Sequence, residues 1–516
     1  MRDLKSMFRL SNLNLLAIIV TFLSLFIVTP LSQATNALPR PENIPDKSIT
    51  LRDKIGRHVI YRGVNARVNG IFDVSFNDGR KPLQAIPEFT EKDVVEMKKL
   101  GFNFLRLPVN WSGIAPEPNK FSRDYINKIV RVLNLCAKYN IAVLLDMHQD
   151  AYSKDLGEDG APAWAIYPGG YQKNEGGSLG NLTLKRIALD TQRAFASFWK
   201  NKRVKGKKLW QHYSDAINFL LDHTASHPAV VGLEIINEPW LLHIKTMFPN
   251  DLYTKDLEIK MLWDFYDFTI KNIRKKHKQV WIYLEPDVSK SAAIPFLVDE
   301  NQLFKATGLP KIAPWETYRT VYAPHLYTLG MVLDGFLGTK LDPKDPGIQT
   351  SIEYSLVEAA QINAPFMIGE FGFSDKSKFY GETITNIMDF ADKYMFHTAQ
   401  WIWKETSQSS WGFWDYDIEI GDYVLREETS RNTARAYPSK VSGTMAGFKL
   451  DQKEKILTIQ MKDIMSSGYH EIIWPIHYGY PETPKLLCGN ESIQYSMNDF
   501  GDLAFKCKSK SIQVGG

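Results

Sequence analysis

Two glutamates are placed to do chemistry. Glu238 lies in LEIINEPW, residues 233–240, and Glu370 lies in MIGEFGF, residues 367–373. The first stretch reads as the end of a buried β-strand, stopped by Pro239, which has no N–H to donate. A carboxylate at the exit of an apolar strand is poorly solvated, so its pKa rises, which suits a general acid near neutral pH. A lone Glu-Pro is equally a helix cap or an arginine partner, and a second carboxylate decides between them. Glu370 supplies it, flanked by Gly369 and Gly372, which allow close backbone approach and a sharp exit from the strand. Two converging carboxylates suit glycoside hydrolysis: one donates a proton to the leaving oxygen and the other attacks the anomeric carbon. At a separation of about 5 Å the outcome is retention through a covalent glycosyl-enzyme.

Other polar residues fit around this pair. Tyr327 can hydrogen-bond Glu370, and Arg106 can lower its pKa, keeping it a nucleophile while Glu238 stays protonated. Asn237 can bind the sugar 2-hydroxyl. His148, Asp150 and His325 can position further hydroxyls, and Trp403, or Trp401 two residues earlier, can floor the subsite. Each also has a structural reading: Arg106 as a buried ion pair, Tyr327 and His325 as satisfied core residues. Glu234 shares strand parity with Glu238 and is expected to pair with a buried cation. Glu285 is a supporting acid or has no part in the site, and Asp146 is expected to be structural. Asn237 and Glu238 are adjacent, so on a regular strand they face opposite ways. Both reach the site only if the strand ends or bulges there.

The elements that must position these groups alternate between strand and helix over about 350 residues. Strand-like runs end at Ala66, Trp111, Asp150, Trp240, Val288, Thr328, Phe373 and Thr406. A helix over 90–100 is expected to carry a Thr90/Asp93 capping box, and Ser122 to cap the next. Several strands are continuously apolar, as parallel strands covered on both faces are. The pattern predicts an α/β fold, a (β/α)8 TIM barrel over residues 38–438, followed by a small C-terminal antiparallel β-sandwich over 439–516. A doubly wound open sheet is disfavoured, since no GxGxxG or phosphate-binding loop opens any helix. In a barrel the polar residues above sit together on the face at the C-terminal ends of the strands.

FLRLPVNW, DMHQD, INEPW, APHLY, GEFG and WIWKE, taken in order, resemble glycoside hydrolase family 5, a group of retaining (β/α)8 glycosidases. The resemblance runs from about Ile55 to Pro438. QDAYSKDLGEDGAPAWAI, and RAYPSKVSGT before a β domain, resemble the endoglycoceramidases of that family. It implies cleavage between an intact oligosaccharide and ceramide in a glycosphingolipid, with Glu238 as acid/base and Glu370 as nucleophile. It also implies that His148 and Asp150 hold the glucose next to ceramide, with Asn65 or Arg67 as the contact from the first barrel loop. A lipid substrate would account for apolar side chains on rim loops: Trp164, Ile166 and Tyr167; Met331, Val332, Leu333, Phe336 and Leu337; and WGFW, residues 411–414. Alternatively these loops pack on one another. The competing functions are another family 5 β-glycosidase, such as an endoglucanase or a galactosylceramide-specific relative, and a secreted glycolipid-binding protein on an inactive barrel.

Composition narrows the classes further. The 516 residues are 44% hydrophobic, enough for one large core and a smaller one. A net charge of +4 without a basic cluster argues against nucleic acid as a partner. The 13 Trp suit sugar faces, lipid grooves or simply a large core. The chemistry needs no metal and no cofactor, contact with a membrane surface or lipid micelle is expected, and the chain is expected to be a monomer. Arg2, Lys5 and Arg9 precede an apolar run over 13–28 and then small residues, which reads as a secretory signal peptide over 1–37, cut after Ala34 or Ala37. An uncleaved signal anchor is the alternative. The destination is then secreted or the lumen of an acidic, digestive vesicle. In that compartment Cys488 and Cys507 are expected to form a disulfide, closing a loop of about 20 residues worth about 3 kcal/mol, while Cys136 stays a buried thiol. Sequons at Asn110, Asn181 and Asn490 are candidate glycosylation sites.

Overall fold

The computed structural model describes residues 41, 43–178, 182–241, 255–288, 319–328, 331, 342–372, 377–405 and 411–516. The signal peptide, Asn181, and Val332, Leu333, Phe336 and Leu337 lie outside the described residues. Eight parallel strands form one sheet: β1 (Arg62–Asn65), β2 (Phe104–Val109), β3 (Ala142–Met147), β4 (Val230–Glu234), β5 (Trp281–Leu284), β6 (Thr320–Tyr322), β7 (Met367–Ile368) and β8 (His397–Gln400). β8 pairs with β1, and parallel bridges Tyr322–Phe366 and Leu326–Phe371 join β6 to β7, so the sheet closes into the expected barrel. Closure removes the exposed edges that an open sheet would carry.

Alternate residues face the two sides of each strand. Val64, Leu105, Leu107, Val143, Leu145, Leu233, Ile282 and Leu284 belong to one buried cluster with helical residues such as Ile126, Ile129, Leu220 and Phe265. The opposite parity packs inside, where Phe104, Leu144, Tyr283, Val321, Ala323, Met367 and Ala399 form a separate apolar cluster. Gly232 makes this layer fit: a Cβ there would come within 2.5 Å of the Tyr283 ring. The helix Glu91–Lys99 carries the Thr90/Asp93 capping box, and the Ser122 hydroxyl accepts from Tyr125 N at 3.1 Å to start the helix Arg123–Lys138.

The expected first strand divides. His58–Val59 leaves the barrel and pairs antiparallel with Tyr437–Val441, and only Arg62–Asn65 joins the parallel sheet. The C-terminal region is a sandwich of two five-stranded antiparallel sheets. Cys488 belongs to one sheet and Cys507 follows a strand of the other, so their disulfide ties the layers together. The sandwich sits against the strand starts: Tyr437 donates to Gly101 O at 2.9 Å, Lys98 pairs with Asp502 at 2.6 Å, and Arg62 lies over the Tyr437 ring. This is the end of the barrel opposite the polar cluster. Cys136 is a buried free thiol, pushed by burial up to about 12.

Candidate active site

The barrel's interior period of two builds the site. Phe104, Leu144, Tyr283, Ala323 and Ala399 lie in the apolar layer. Two residues further along the same strands come Arg106, Asp146, Glu285, His325 and Trp401. Arg106 is completely buried and holds this polar layer together. Its Nε and Nη2 grip both oxygens of Glu234 at 2.7 and 2.9 Å. Nη2 also donates to Asn237 Oδ1 at 2.8 Å, and Nη1 donates to Asn65 Oδ1 at 2.9 Å and Glu370 Oε1 at 2.5 Å. A buried guanidinium is tolerable only when its donors are matched in this way. Burial would raise the Glu234 carboxyl, but Arg106 outweighs it and holds the group at about 2.

Glu238 reaches the site because β4 has already ended. Its backbone takes a left-handed φ of +41°, so strand alternation no longer applies and Asn237 and Glu238 both turn inward. The turn is pinned by Gln149, whose Nε2 donates to Asn237 O at 2.8 Å and Glu238 O at 3.0 Å. Glu285 adds a carboxylate that accepts Glu238 N–H at 3.2 Å. Oxygens of Glu238 and Glu370 lie within 4.8 Å of each other, with a His325 nitrogen in the same group. That spacing matches the short carboxyl separation of a retaining hydrolase. The Tyr327 hydroxyl donates to Glu370 Oε2 at 3.1 Å, so both Glu370 oxygens accept hydrogen bonds.

His325 Nδ1 faces Glu238 Oε1 and its Nε2 faces Glu285 Oε1, both at 3.1 Å. Burial alone would lower its pKa, but Glu285, Glu370 and Glu238 more than offset this and raise it well above the ordinary value. On the neighbouring wall His148 Nδ1 meets Asp146 at 2.5 Å and its ring stacks on Trp401 at 5.7 Å. Its Nε2 looks toward Asp150 at 3.6 Å. Arg67 lies over the Trp401 ring, between Glu158 at 3.2 Å and Glu405. Asn65 instead donates to Gly369 O and Ala399 O, which ties strand ends together. Of the two first-loop residues, Arg67 is therefore the one beside the Trp401 face.

One further cation enters from outside the barrel strands. Arg186, on the short helix Leu182–Ile187, directs Nη2 at Glu238 Oε2 at 2.9 Å and at Asp150 Oδ1 in a closer contact. Burial penalises the Glu238 carboxylate, yet Arg186 and His325 outweigh it and hold the group below its ordinary value. Burial pushes Glu370 the other way, against His325 and Arg106, with Glu238 adding to the rise. Neighbouring cations thus favour the ionised form of Glu238, and burial favours the protonated form of Glu370.

Residues 70–407 match the family described as Cellulase (glycosyl hydrolase family 5). The chain belongs to glycosyl hydrolase family 5. Its family 5 relatives include endoglycoceramidase I of Rhodococcus hoagii, 25% identical over 76% of this chain and 72% of that protein. An endoglycoceramidase of Hydra vulgaris is 23% identical over 76% of this chain and 73% of that protein. Among solved structures, endo-glycoceramidase II from Rhodococcus sp. superposes with a TM-score of 0.70 at 24% identity, covering 90% of this chain and 99% of that one, so the fold is shared. This barrel is a glycoside hydrolase barrel.

Within it, several expectations need correction. Trp403 does not floor a subsite: it is 1% exposed, donates to Asp93 Oδ1 at 2.9 Å and packs on Phe413 and Trp414. β8 ends at Gln400, so parity with Trp401 is lost beyond it. Arg106 contacts Glu234 and Glu370, and His325 faces Glu238, Glu285 and Glu370. Asn110 cannot carry a glycan in the folded chain, because its buried amide donates to His148 O and Asp159 and its oxygen accepts Asp73 N–H. Asn490 is exposed on a turn. Among the described residues of the expected apolar rim, Ile166, Phe413, Trp414 and Met331 are buried, and Trp164 packs edge-on against Trp111. Trp411 is half-buried against Tyr327, and Tyr167 is exposed. Sequence reading missed Gln149, although DMHQD contains it, and missed Arg186, which no local motif marks.

Proposed function

We propose that this protein is an endoglycoceramidase, a retaining endo-glycosidase that releases intact oligosaccharide and ceramide from glycosphingolipids. The observation that carries the reading is the Glu238–Glu370 pair, within 4.8 Å, in a family 5 barrel with relatives of that name aligned over most of both chains. Glu370 attacks the anomeric carbon of the glucose while Glu238 gives its proton to the ceramide oxygen. The C–O bond to ceramide breaks and a glucosyl ester forms on Glu370. Glu238, now a carboxylate, takes a proton from water, which enters from the face that ceramide left, displaces Glu370 and restores the starting configuration. Arg106 and Tyr327 stabilise the carboxylate as Glu370 leaves the sugar. His148, Asp150, Arg67 and Trp401 form the wall that receives the sugar, and Asn237 supplies the contact to the 2-hydroxyl.

The lipid side of the reading rests on exposed apolar groups near the site. The hairpin Trp414–Asp417/Asp422–Leu425 follows β8, and its base packs beside Trp403 through Phe413 N–H to Trp403 O at 3.1 Å. Its outer part exposes Tyr416, Ile418, Ile420 and Val424, with Ile418 87% exposed. Tyr167, Leu184, Ile187 and Leu189 add a second exposed group. We assign these to contact with a membrane surface or micelle. The chain is further proposed to act as a monomer, to enter the secretory route by its first 37 residues, with Asn181 and Asn490 as glycan acceptors, and to work outside the cell or in an acidic vesicle. Incubating the protein with a ganglioside, cellulose oligomers and galactosylceramide side by side tests the function. Intact oligosaccharide plus ceramide is expected from the ganglioside; cleavage confined to the cellulose oligomers, or to galactosylceramide, overturns this specificity.

A further inference from the structure

Arg186 sets a guanidinium against the carboxylate that must carry the proton. Glu238 is faced by Asp150 from the end of β3, Glu285 from β5, His325 and Tyr327 from beyond β6, Glu370 from beyond β7, and Arg186 from the helix Leu182–Ile187. All except Arg186 are carried by segments that leave barrel strands. Arg186 alone comes from a helix between β3 and β4, and its side chain is the most exposed of the clamp, at 21% against 11% for Asp150 and 10% for Glu238. Its guanidinium bridges the two carboxylates, and its Nε donates to Asp150 O at 3.1 Å. Arg186 O accepts from Gln192 at 2.6 Å, so the backbone is held while the side chain reaches inward.

The two carboxylates that Arg186 joins have opposite needs in the reaction. Glu238 must carry a proton to protonate the leaving oxygen, and a guanidinium in contact favours the ionised form. Asp150 must offer its oxygen to a sugar hydroxyl, and Arg186 already occupies it. A sugar seated on Asp150 therefore competes directly with the contact that keeps Glu238 ionised.

We propose that Arg186 is a positioning residue that clamps Glu238 to Asp150 and is displaced when a sugar hydroxyl takes its place on Asp150, so that Glu238 becomes a proton donor as the sugar seats. The inference rests on the roles proposed above for Glu238 and Asp150. It couples acid strength to sugar binding: Glu238 is a carboxylate while Arg186 holds it and an acid once the sugar has displaced Arg186.

The test is the titration of Glu238 in the full-length protein carrying Glu370→Gln, which hydrolyses nothing and leaves one carboxyl of the pair to titrate. The carboxyl 13C resonance that disappears in Glu370→Gln/Glu238→Gln reports Glu238, followed in the protein alone and with saturating phenyl β-lactoside. The saturated protein is expected to titrate about one to three pH units above the protein alone, the range an adjacent opposite charge produces. Adding Arg186→Gln should raise the titration of the protein alone to meet the saturated one, whereas Arg186→Lys, which keeps the charge, should leave it low. Equal titrations with and without the lactoside overturn the clamp. An unmoved titration in Arg186→Gln, or the same movement in Arg186→Lys, also overturns it. The assigned role is checked separately with Glu238→Ala, which should lose phenyl lactoside turnover but keep the first step on 2,4-dinitrophenyl lactoside. If Glu238→Ala still turns over the phenyl substrate, the acid assignment falls and the clamp with it.

Discussion

Arg106 Nη1 lies 2.5 Å from Glu370 Oε1, and the other side of the same guanidinium grips both oxygens of Glu234. The proposed nucleophile is thus tied through one planar cation to β2 and β4. Lysine cannot reproduce that fork, because it offers a single charged point on a flexible stem. Arg106→Lys is expected to leave Glu234 poorly compensated in the interior. Breaking such a buried pair costs about 3–5 kcal/mol, so the melting temperature should fall well below that of the parent. Any folded fraction should show kcat lower by about 10²-fold, the effect of a small misplacement of the reacting group. Unchanged melting and kcat would show that the network is not what places Glu370.

The two carboxylates should separate by substrate. Glu370→Gln removes the attacking oxygen and should abolish turnover of every β-lactoside while vesicle binding persists. Glu238→Ala removes proton donation, worth about 10²–10⁴-fold, but an activated phenol leaves without help. Stopped-flow release of phenol from phenyl and 2,4-dinitrophenyl lactosides distinguishes the two. Turnover by Glu370→Gln at the parent rate would move the nucleophile elsewhere.

These two glutamates and their strand ends were legible in the sequence because a barrel converts period-two alternation and chain order into position. Phe104 and Arg106, Leu144 and Asp146, and Tyr283 and Glu285 share a face by counting alone. Counting fails where the strand has stopped. Glu238 turns inward through a left-handed backbone, and Trp403 turns into the core after β8 has ended. Arg186 was invisible for a different reason: the helix Leu182–Ile187 is brought to the site by the fold, and nothing local in LTLKRI marks which side chain will meet Glu238. The rim was misjudged because apolar character does not separate a lipid contact from loops packed on each other, as Trp164 and Trp414 are.

Acid should weaken the barrel floor through two histidines. His397 Nδ1 accepts Tyr61 N–H at 3.0 Å, and His58 Nδ1 accepts Met445 N–H at 3.4 Å. Both rings must be neutral at that nitrogen. Burial, helped by Arg52 and Lys47 at His58 and by His58 and Arg62 at His397, holds each at about 3, below the ordinary 6.5. The unfolded chain therefore binds more protons between those values. Their contribution is complete above pH 6.5 and is lost as pH falls toward 3, at up to about 1.4 kcal/mol per pH unit for each. His397→Asn keeps an acceptor and does not titrate, so its melting temperature should fall less steeply from pH 6 to pH 4. Parallel slopes for variant and parent would contradict this.

The disulfide should matter to the sandwich and not to the chemistry. Cys488 and Cys507 are 19 residues apart, and a loop of that size stabilises by about 3 kcal/mol. Replacing both by serine should lower the melting temperature while leaving kcat on a soluble lactoside intact below the new transition, since the sandwich meets the strand starts and not the site. A large loss of kcat at 25 °C would instead join the sandwich to the catalytic face.

The hairpin tip offers the sharpest check on the lipid reading. Ile418 and Ile420 are 87% and 64% exposed, a costly arrangement unless something covers them. Burying one such side chain contributes about 1.5–3 kcal/mol, so two should strengthen attachment to a surface by at least about tenfold. Asp417, Glu419 and Asp422 stand beside them, so an anionic surface should repel the tip and a zwitterionic one should accept it. Ile418→Ser/Ile420→Ser is expected to bind phosphatidylcholine vesicles carrying a ganglioside about tenfold or more weakly and to hydrolyse that ganglioside more slowly at limiting vesicle concentration. Hydrolysis of phenyl β-lactoside in solution should be retained, because the tip lies outside the carboxylate network. Adding phosphatidylserine should weaken attachment of the parent through the acidic neighbours. Equal vesicle binding by variant and parent would remove the hairpin from the lipid interface and leave Tyr167, Leu184, Ile187 and Leu189 to account for it.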